Sequence, residues 1–211
     1  MGRLDPRSLE LYVVTAMGLV AGRGHLEVAL AAIEGGAGTI QLRAPELDDA
    51  DLLPLATQIA SRCRETGVLF VVNDRVRVAA SCGAGAHVGQ RDDPGAARAR
   101  LGPDPVLGVS VSTPEEARAA ESAEADYLGV TVWATPTKPE ASPAGLAGLR
   151  DVVSSTSLPV VGIGGIDAGN AGQVLAAGAA GVAVVSAVAA ADNPVAATRR
   201  LARIVRSWGE R

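Results

Sequence analysis

Eight short apolar runs recur along the 211 residues, separated by helix-compatible sequence, and that rhythm limits the fold more than any other feature. They are "LYVVTA" from Leu11, "TIQLR" from Thr39, "LFVVND" from Leu69, "GAHVGQ" from Gly85, "VLGVSV" from Val106, "YLGVTVW" from Tyr127, "PVVGIGGI" from Pro159 and "GVAVVSAV" from Gly181. Each has strand length, and the β-branched texture suits strands buried on both faces. Between them, "TPEEARAAESA" carries helix signals: Thr113 can cap, Pro114 suits the first turn, and Glu115 and Glu116 favour the positive end of the dipole. "DDADLLPLATQIASRCRETG" from Asp48 is a second helix, stopped by Gly67. Strand and helix alternating through short connections call for right-handed crossovers and a parallel sheet. Eight such units close a barrel. The expectation is an α/β chain folded as one (β/α)8 TIM-barrel domain over residues 1–211. An open doubly wound sheet is the runner-up, but "TAMGLVAGRGH" is a poor match to the GxGxxG turn that fold carries after its first strand.

Composition agrees with a barrel. Hydrophobic residues make up 48% and aromatics 2%, so the core must be packed from Ala, Val, Leu and Ile. A formal charge of -4 leaves no basic footprint for nucleic acid. Cys63 and Cys82 form neither a CxxC motif nor a Cys/His cluster, which argues against structural zinc and a disulfide framework. The N-terminal "MGRLDPRSLELYVV" lacks the layout of a signal peptide, so a cytoplasmic location is expected. "VLAAGAAGVAVVSAVAAA" from Val174 is long and apolar enough to raise a transmembrane span. Gly178, Gly181 and the β-branched centre read better as a helix end, a turn and a buried strand, with no membrane association.

The working face of a parallel barrel lies at the carboxyl ends of its strands. Collected there are Gln41 and Arg43; Asn73 and Asp74; Gln90, Asp92 and Asp93; Ser110; "ATPTK" from Ala134 to Lys138; "GIGGI" with Gly165; and Ser186. A lone Asp after a strand is more often a cap or turn former, and Asp74 could cap the helix that follows. Two carboxylates ending adjacent strands repel, and a hard cation between them relieves that repulsion. Oxygen ligands in small number point to Mg2+, which shares its shell with water and a phosphorylated substrate. The glycines of "GIGGI" suit a phosphate-binding loop after the seventh strand, with Asp167 as a helix cap. Thr135 and Thr137 supply hydroxyls and Lys138 a mobile cation. His87 is read as a core or structural histidine and His25 as solvated at a helix start. Neither has a nucleophile at a recognisable spacing, and triad chemistry is not suggested.

In order along the chain, "QLR", "VVND", "HVGQRDD", "LGVSVST", "WATPTK", "VGIGGI" and "VVSAV" resemble the thiamine phosphate synthase family over nearly the whole length. The resemblance implies an Mg2+-dependent transferase of the thiamine pathway. It would join a hydroxymethylpyrimidine diphosphate to a thiazole phosphate, or its carboxylate, through a carbocation-like pyrimidine and release pyrophosphate. It implies Asp74 and Asp92 as metal ligands. Gln41, Arg43, Asn73, Ser110 and Lys138 would hold the pyrimidine diphosphate, with Arg43, Ser110 and Lys138 acting in catalysis. Thr135, Thr137, Gly165, Val185 and Ser186 would line the thiazole phosphate site. The partners are these small molecules, and a homo-oligomer is compatible with the sequence.

One position departs from the family, which carries a lysine two residues after the arginine of the second-strand loop. Here "RAPEL" places Pro45 there, and proline has no donor to offer. Arg75 or Arg91 is the expected stand-in, Arg91 favoured because it precedes Asp92. Two other readings stay open. A thiazole tautomerase on the same barrel would, by resemblance, use a histidine in the fifth-strand loop where this chain has Ser112. A non-catalytic barrel binding thiamine precursors is supported only by Pro45.

Overall fold

The computed structural model describes residues 4–135 and 142–209. Eight parallel strands close into one barrel in sequence order: β1 (Leu11–Val14), β2 (Thr39–Leu42), β3 (Leu69–Asn73), β4 (Gly85–Val88), β5 (Leu107–Ser110), β6 (Tyr127–Thr131), β7 (Val160–Ile163) and β8 (Gly181–Val184). β8 pairs with β1, so the ring has no open edge. The expected barrel is observed, and the open sheet is excluded.

Helices cover the outside: α1 (His25–Gly35), α2 (Asp49–Thr66), α3 (Val76–Cys82), α4 (Pro94–Leu101), α5 (Pro114–Ser122), α6 (Gly145–Ser154), α7 (Ala171–Ala176), α8 (Ser186–Ala189) and α9 (Pro194–Gly209). Local sequence explains their limits. The Asp48 carboxylate accepts from the Ala50 and Asp51 N–H groups to start α2, and Gly67 stops it in the left-handed region. Thr113 caps α5 by accepting from the Glu116 N–H. Asp93 accepts from the Gly95 and Ala96 N–H groups to start α4. The apolar stretch from Val174 divides into the end of α7, a turn, β8 and α8. No helix among the described residues is long and apolar enough to cross a membrane.

Two expectations need correction. His25 is not solvated: it is only 3% exposed and bonded on both ring nitrogens. Asp167 does not cap α7, whose N-cap position is Asn170; its carboxylate instead accepts from the Gly169 N–H two residues on, closing a turn.

Most of the core lies between strands and helices, built from Val, Leu, Ile and Ala. A smaller cluster of Leu9, Tyr12, Val14, Val106, Tyr127, Val161 and Ala183 fills the barrel itself. At the amino end of β5, α4 is tied in by Arg98. Its guanidinium reaches Asp126 Oδ2 at 2.6 Å and donates to the carbonyls of Glu124, Gly102 and Pro105. Asp126 Oδ2 also accepts the Leu107 N–H at 2.8 Å. Both charged side chains are about nine-tenths covered (10% and 9% exposed). Removing one member of such a pair leaves a costly buried charge. Arg98→Met should therefore destabilise the fold by about 3 to 5 kcal/mol in urea denaturation, and adding Asp126→Asn should recover part of that loss.

Candidate active site

Side chains alternate across a strand, so every second residue of each strand points into the barrel. At the carboxyl end those positions line one cavity: Tyr12 and Val14 from β1, Gln41 and Arg43 from β2 and the residue after it, Asn73 from β3, His87 from β4 and Ser110 from β5. Tyr127, Gly129 and Thr131 of β6, Val161 and Ile163 of β7, and Ala183 with Val185 from β8 complete the ring. Thr135, Gly164, Gly165, Ile166 and Ser186 form its mouth. All eight strands contribute.

Of the residues expected to bind substrate, Gln41, Arg43, Asn73, Ser110, Thr135, Gly165, Val185 and Ser186 all meet in this cavity. Thr137 and Lys138 lie outside the described residues. Gly164 and Gly165 both adopt positive φ, 94° and 63°. A side chain on Gly164 would also press on the Trp133 carbonyl, 2.5 Å from its Cβ position, so glycine is required there.

The floor carries residues the sequence reading did not assign. Gln41 Nε2 donates to the Tyr12 hydroxyl at 2.6 Å, and the Tyr12 and Tyr127 hydroxyls lie 2.8 Å apart. Tyr127 continues to His87 Nδ1 at 2.9 Å, and His87 Nε2 meets Ser110 Oγ at 2.9 Å. Burial drives both phenol pKa values well above their usual range, so the tyrosines stay protonated. Each hydroxyl has one proton, which sets a direction. With Gln41 donating, Tyr12 passes its proton towards Tyr127, and Tyr127 towards His87 Nδ1. In that order a neutral His87 holds its proton on Nε2 and donates it to Ser110. The Ser110 hydroxyl proton is left for a ligand. His87, read as structural, is thus a cavity residue that orients Ser110. Its own run gives no such signal; the register of β3 with β4, which pairs His87 with Asn73, sets its inward phase.

Asp74 and Asp92 stand just beyond the neighbouring strands β3 and β4, outside the cavity lining. Asp74 is exposed and in the left-handed region (φ 60°), with its N–H donating to the His87 carbonyl at 2.8 Å. It is not the N-cap of α3, a position held by Arg75. A non-glycine residue in that conformation directs attention to function, although Asp tolerates it better than most. Asp92 Oδ2 accepts the Gly89 N–H at 2.8 Å. Among the described residues no group of three or more His, Cys, Asp or Glu could hold a metal unaided. Carboxylate oxygens are the donor type that Mg2+ takes together with water and phosphate, so the chemistry of Asp74 and Asp92 is compatible with that ion.

Of the two arginines considered for the role left open by Pro45, both are exposed, and Arg75 faces Asp49 in α2 at 3.7 Å. Ser112, at the position relevant to a tautomerase, accepts from Gln90 Nε2 and does not line the cavity. Both cysteines are buried, and burial pushes the Cys63 thiol up to about 12 and raises Cys82 as well. Neither is a thiolate nucleophile.

A closed parallel barrel with a polar-lined cavity at the strand carboxyl ends places the chain among the (β/α)8 proteins that bind small molecules at that face. Comparison with known proteins narrows the class. The family model described as thiamine monophosphate synthase matches residues 11–188. The thiamine-phosphate synthase of Solidesulfovibrio magneticus is 48% identical over 203 residues, 94% of this chain and 96% of that protein. That of Natronomonas pharaonis is 48% identical over 198 residues, 91% of this chain and 92% of its own length. Among solved structures, the thiamine phosphate pyrophosphorylase from Pyrococcus furiosus superposes with a TM-score of 0.89 at 38% identity, covering 96% of this chain and 98% of that one. The chain belongs to the thiamine monophosphate synthase family.

The direction of the floor chain can be read by 15N NMR of histidine, since there are only two imidazoles to assign. His87 is expected to carry its proton on Nε2 with Nδ1 bare. Tyr127→Phe, which removes the donor to Nδ1, should release that preference into a mixture of tautomers. A wild-type protein protonated at Nδ1 would reverse the chain and make Ser110 an acceptor.

Proposed function

We propose that the protein is a thiamine-phosphate synthase, condensing a hydroxymethylpyrimidine diphosphate with a thiazole phosphate and releasing pyrophosphate with the help of Mg2+. The observation that carries this reading is the convergence, in one cavity, of eight residues assigned to substrate from sequence motifs scattered over the chain. In the reaction the bond between the pyrimidine methylene carbon and the diphosphate oxygen breaks, and its electron pair leaves with the diphosphate. The lone pair of the thiazole nitrogen then forms the new C–N bond. No protein nucleophile takes part, which agrees with buried, inert cysteines.

The residues act by position and charge. Gln41 and Asn73 offer amides to the pyrimidine. Arg43 faces the diphosphate, and Ser110, oriented through His87, donates its hydroxyl proton to an oxygen that gains charge as the bond breaks. Such donors help most when charge has developed, so they stabilise the transition state more than the bound substrate. Lys138, which follows β6 in sequence, is assigned to the same diphosphate by the family resemblance. Thr135, Thr137, Gly165, Val185 and Ser186 receive the thiazole phosphate. Asp74 and Asp92 would hold Mg2+, which when bound neutralises charge on the diphosphate. Arg91 is the candidate to replace the lysine absent at Pro45.

The direct test is pyrophosphate release with both substrates, with and without Mg2+. Release should require all three components. Binding of the substrates by calorimetry with no release would support the non-catalytic barrel instead.

Asp74→Ala and Asp92→Ala should each abolish Mg2+-dependent turnover and leave the circular dichroism spectrum unchanged; retained rates in both would remove the metal assignment. Asp93→Ala should act chiefly on stability, by about 1 kcal/mol, because its carboxylate caps α4. Lys138→Ala should lower kcat about tenfold to a thousandfold, as expected of a donor to developing charge. A rise in KM alone would contradict that role.

A further inference from the structure

His25 lies outside the cavity, yet it is joined to both ends of the segment that carries Arg43. Its Nδ1 is 2.8 Å from Thr15 Oγ1 and its Nε2 is 2.6 Å from Glu46 Oε1. Thr15 Oγ1 also accepts the Arg43 N–H at 3.2 Å, and the Thr15 N–H donates to the Gln41 carbonyl at 2.9 Å. The Thr15 hydroxyl, whose oxygen has two lone pairs, therefore accepts the Arg43 N–H and still bonds His25 Nδ1. His25 then donates from Nε2 to an ionised Glu46. Partial burial pushes the Glu46 carboxyl up, but the His25 hydrogen bond, a backbone hydrogen bond and the charges of His25 and Arg43 outweigh it and hold the group below the usual carboxylate range.

Threonine, histidine and glutamate in a row resemble a nucleophile, its base and an orienting acid. Thr15 is fully buried (0% exposed), so no substrate reaches it and the row is not a reactive centre. Its effect is mechanical. Arg43 and Glu46 bracket Ala44 and Pro45, and the Leu47 N–H closes a turn on the Ala44 carbonyl at 3.2 Å. One buried imidazole therefore fastens both ends of a four-residue segment that emerges from β2 at the cavity edge.

We propose that His25 is a positioning residue for diphosphate recognition: by fastening Arg43, through Thr15, and Glu46 to one imidazole, it holds the Arg43 guanidinium over the cavity in a segment where Pro45 supplies no second cation. This rests on the synthase reading and goes beyond it, since none of His25, Thr15 and Glu46 lines the cavity. The Arg43 segment itself carries one cation where the family has two, and that cation must be well placed because small misplacements of a binding group are expensive.

The test measures inorganic pyrophosphate binding with Mg2+ by calorimetry, alongside steady-state kinetics and melting temperature. His25→Leu removes both hydrogen bonds at similar volume. It should weaken pyrophosphate binding about ten- to hundredfold while the KM for the thiazole phosphate stays within about twofold. Glu46→Gln, whose carbonyl still accepts from Nε2, should keep most of the affinity, and Glu46→Ala should not. In an Arg43→Ala background His25→Leu should add no further loss, because it acts through that arginine. An additive loss, or a lower melting temperature with unchanged pyrophosphate affinity, would reduce His25 to a purely structural role and overturn the proposal. Should His25→Leu fail to fold, the Glu46 pair decides: equal affinities for Ala and Gln overturn it too. Wild-type protein that binds no pyrophosphate would overturn the synthase reading itself, a failure visible before any variant is made.

Discussion

The hydrogen bond between the hydroxyls of Tyr12 and Tyr127 is the interaction on which the organisation of the barrel turns. It joins β1 to β6, strands that are not neighbours, with the ring centroids 5.9 Å apart. Tyrosine has an apolar body and a polar tip. Here the bodies pack with Leu9, Val106 and Val161 in the closed part of the barrel, while the tips face Gln41 and His87 in the open part. A buried hydroxyl left without a partner costs about 1 to 3 kcal/mol, so the chain from Gln41 to Ser110 has to be complete or the floor would be a liability. The same bonds that satisfy the floor also orient the groups above it. Stability and ligand recognition therefore share atoms.

Much of this was legible in the residues. The eight strands stand out because parallel strands buried on both faces cannot avoid being short β-branched runs. Asp48, Thr113 and Gly67 mark helix ends through local hydrogen bonding or backbone conformation, which depends only on near neighbours in sequence. The site residues that end strands were visible for the same reason, since an amide or a cation at the end of an apolar run is conspicuous. What stayed hidden depends on distant partners. His87 and the two tyrosines sit inside runs that read as core, and only the pairing of strands far apart in sequence shows that their polar atoms meet. His25 looked like a solvated residue at a helix start because nothing nearby in sequence reveals Thr15 and Glu46 closing over it. Asp167 misled for a smaller reason: an Asp before a helix caps it or closes a turn depending on where the first helical residue falls, here three residues later than the motif suggests.

The two ends of the barrel use charge differently. At the amino end of β5, Arg98 spends its donors on carbonyls and on Asp126, a covered pair whose role is to join α4 to the strands. At the carboxyl end, Arg43 is held by its backbone N–H through Thr15, and its side chain lines the cavity. Holding a functional side chain by its main chain lets the protein fix where it starts without neutralising it. The same logic applies at Asp74, where the main-chain N–H bonds the His87 carbonyl across to β4. In both places a main-chain N–H ties the end of a strand to its neighbour.

Gly108 on β5 has a consequence for how this sequence can change over time. A Cβ there would collide with the Tyr127 ring, which occupies the space that the missing side chain leaves. The pair is complementary in the way of a peg and its slot, so neither position can drift alone. Enlarging Gly108 ejects the ring and breaks the floor, whereas shrinking Tyr127 opens a void and removes the link to His87. A lineage could exchange the two only through simultaneous change or through an intermediate that has lost the floor. The glycine in "VLGVSV" is therefore constrained by the ring beside it, although it carries no functional group at all.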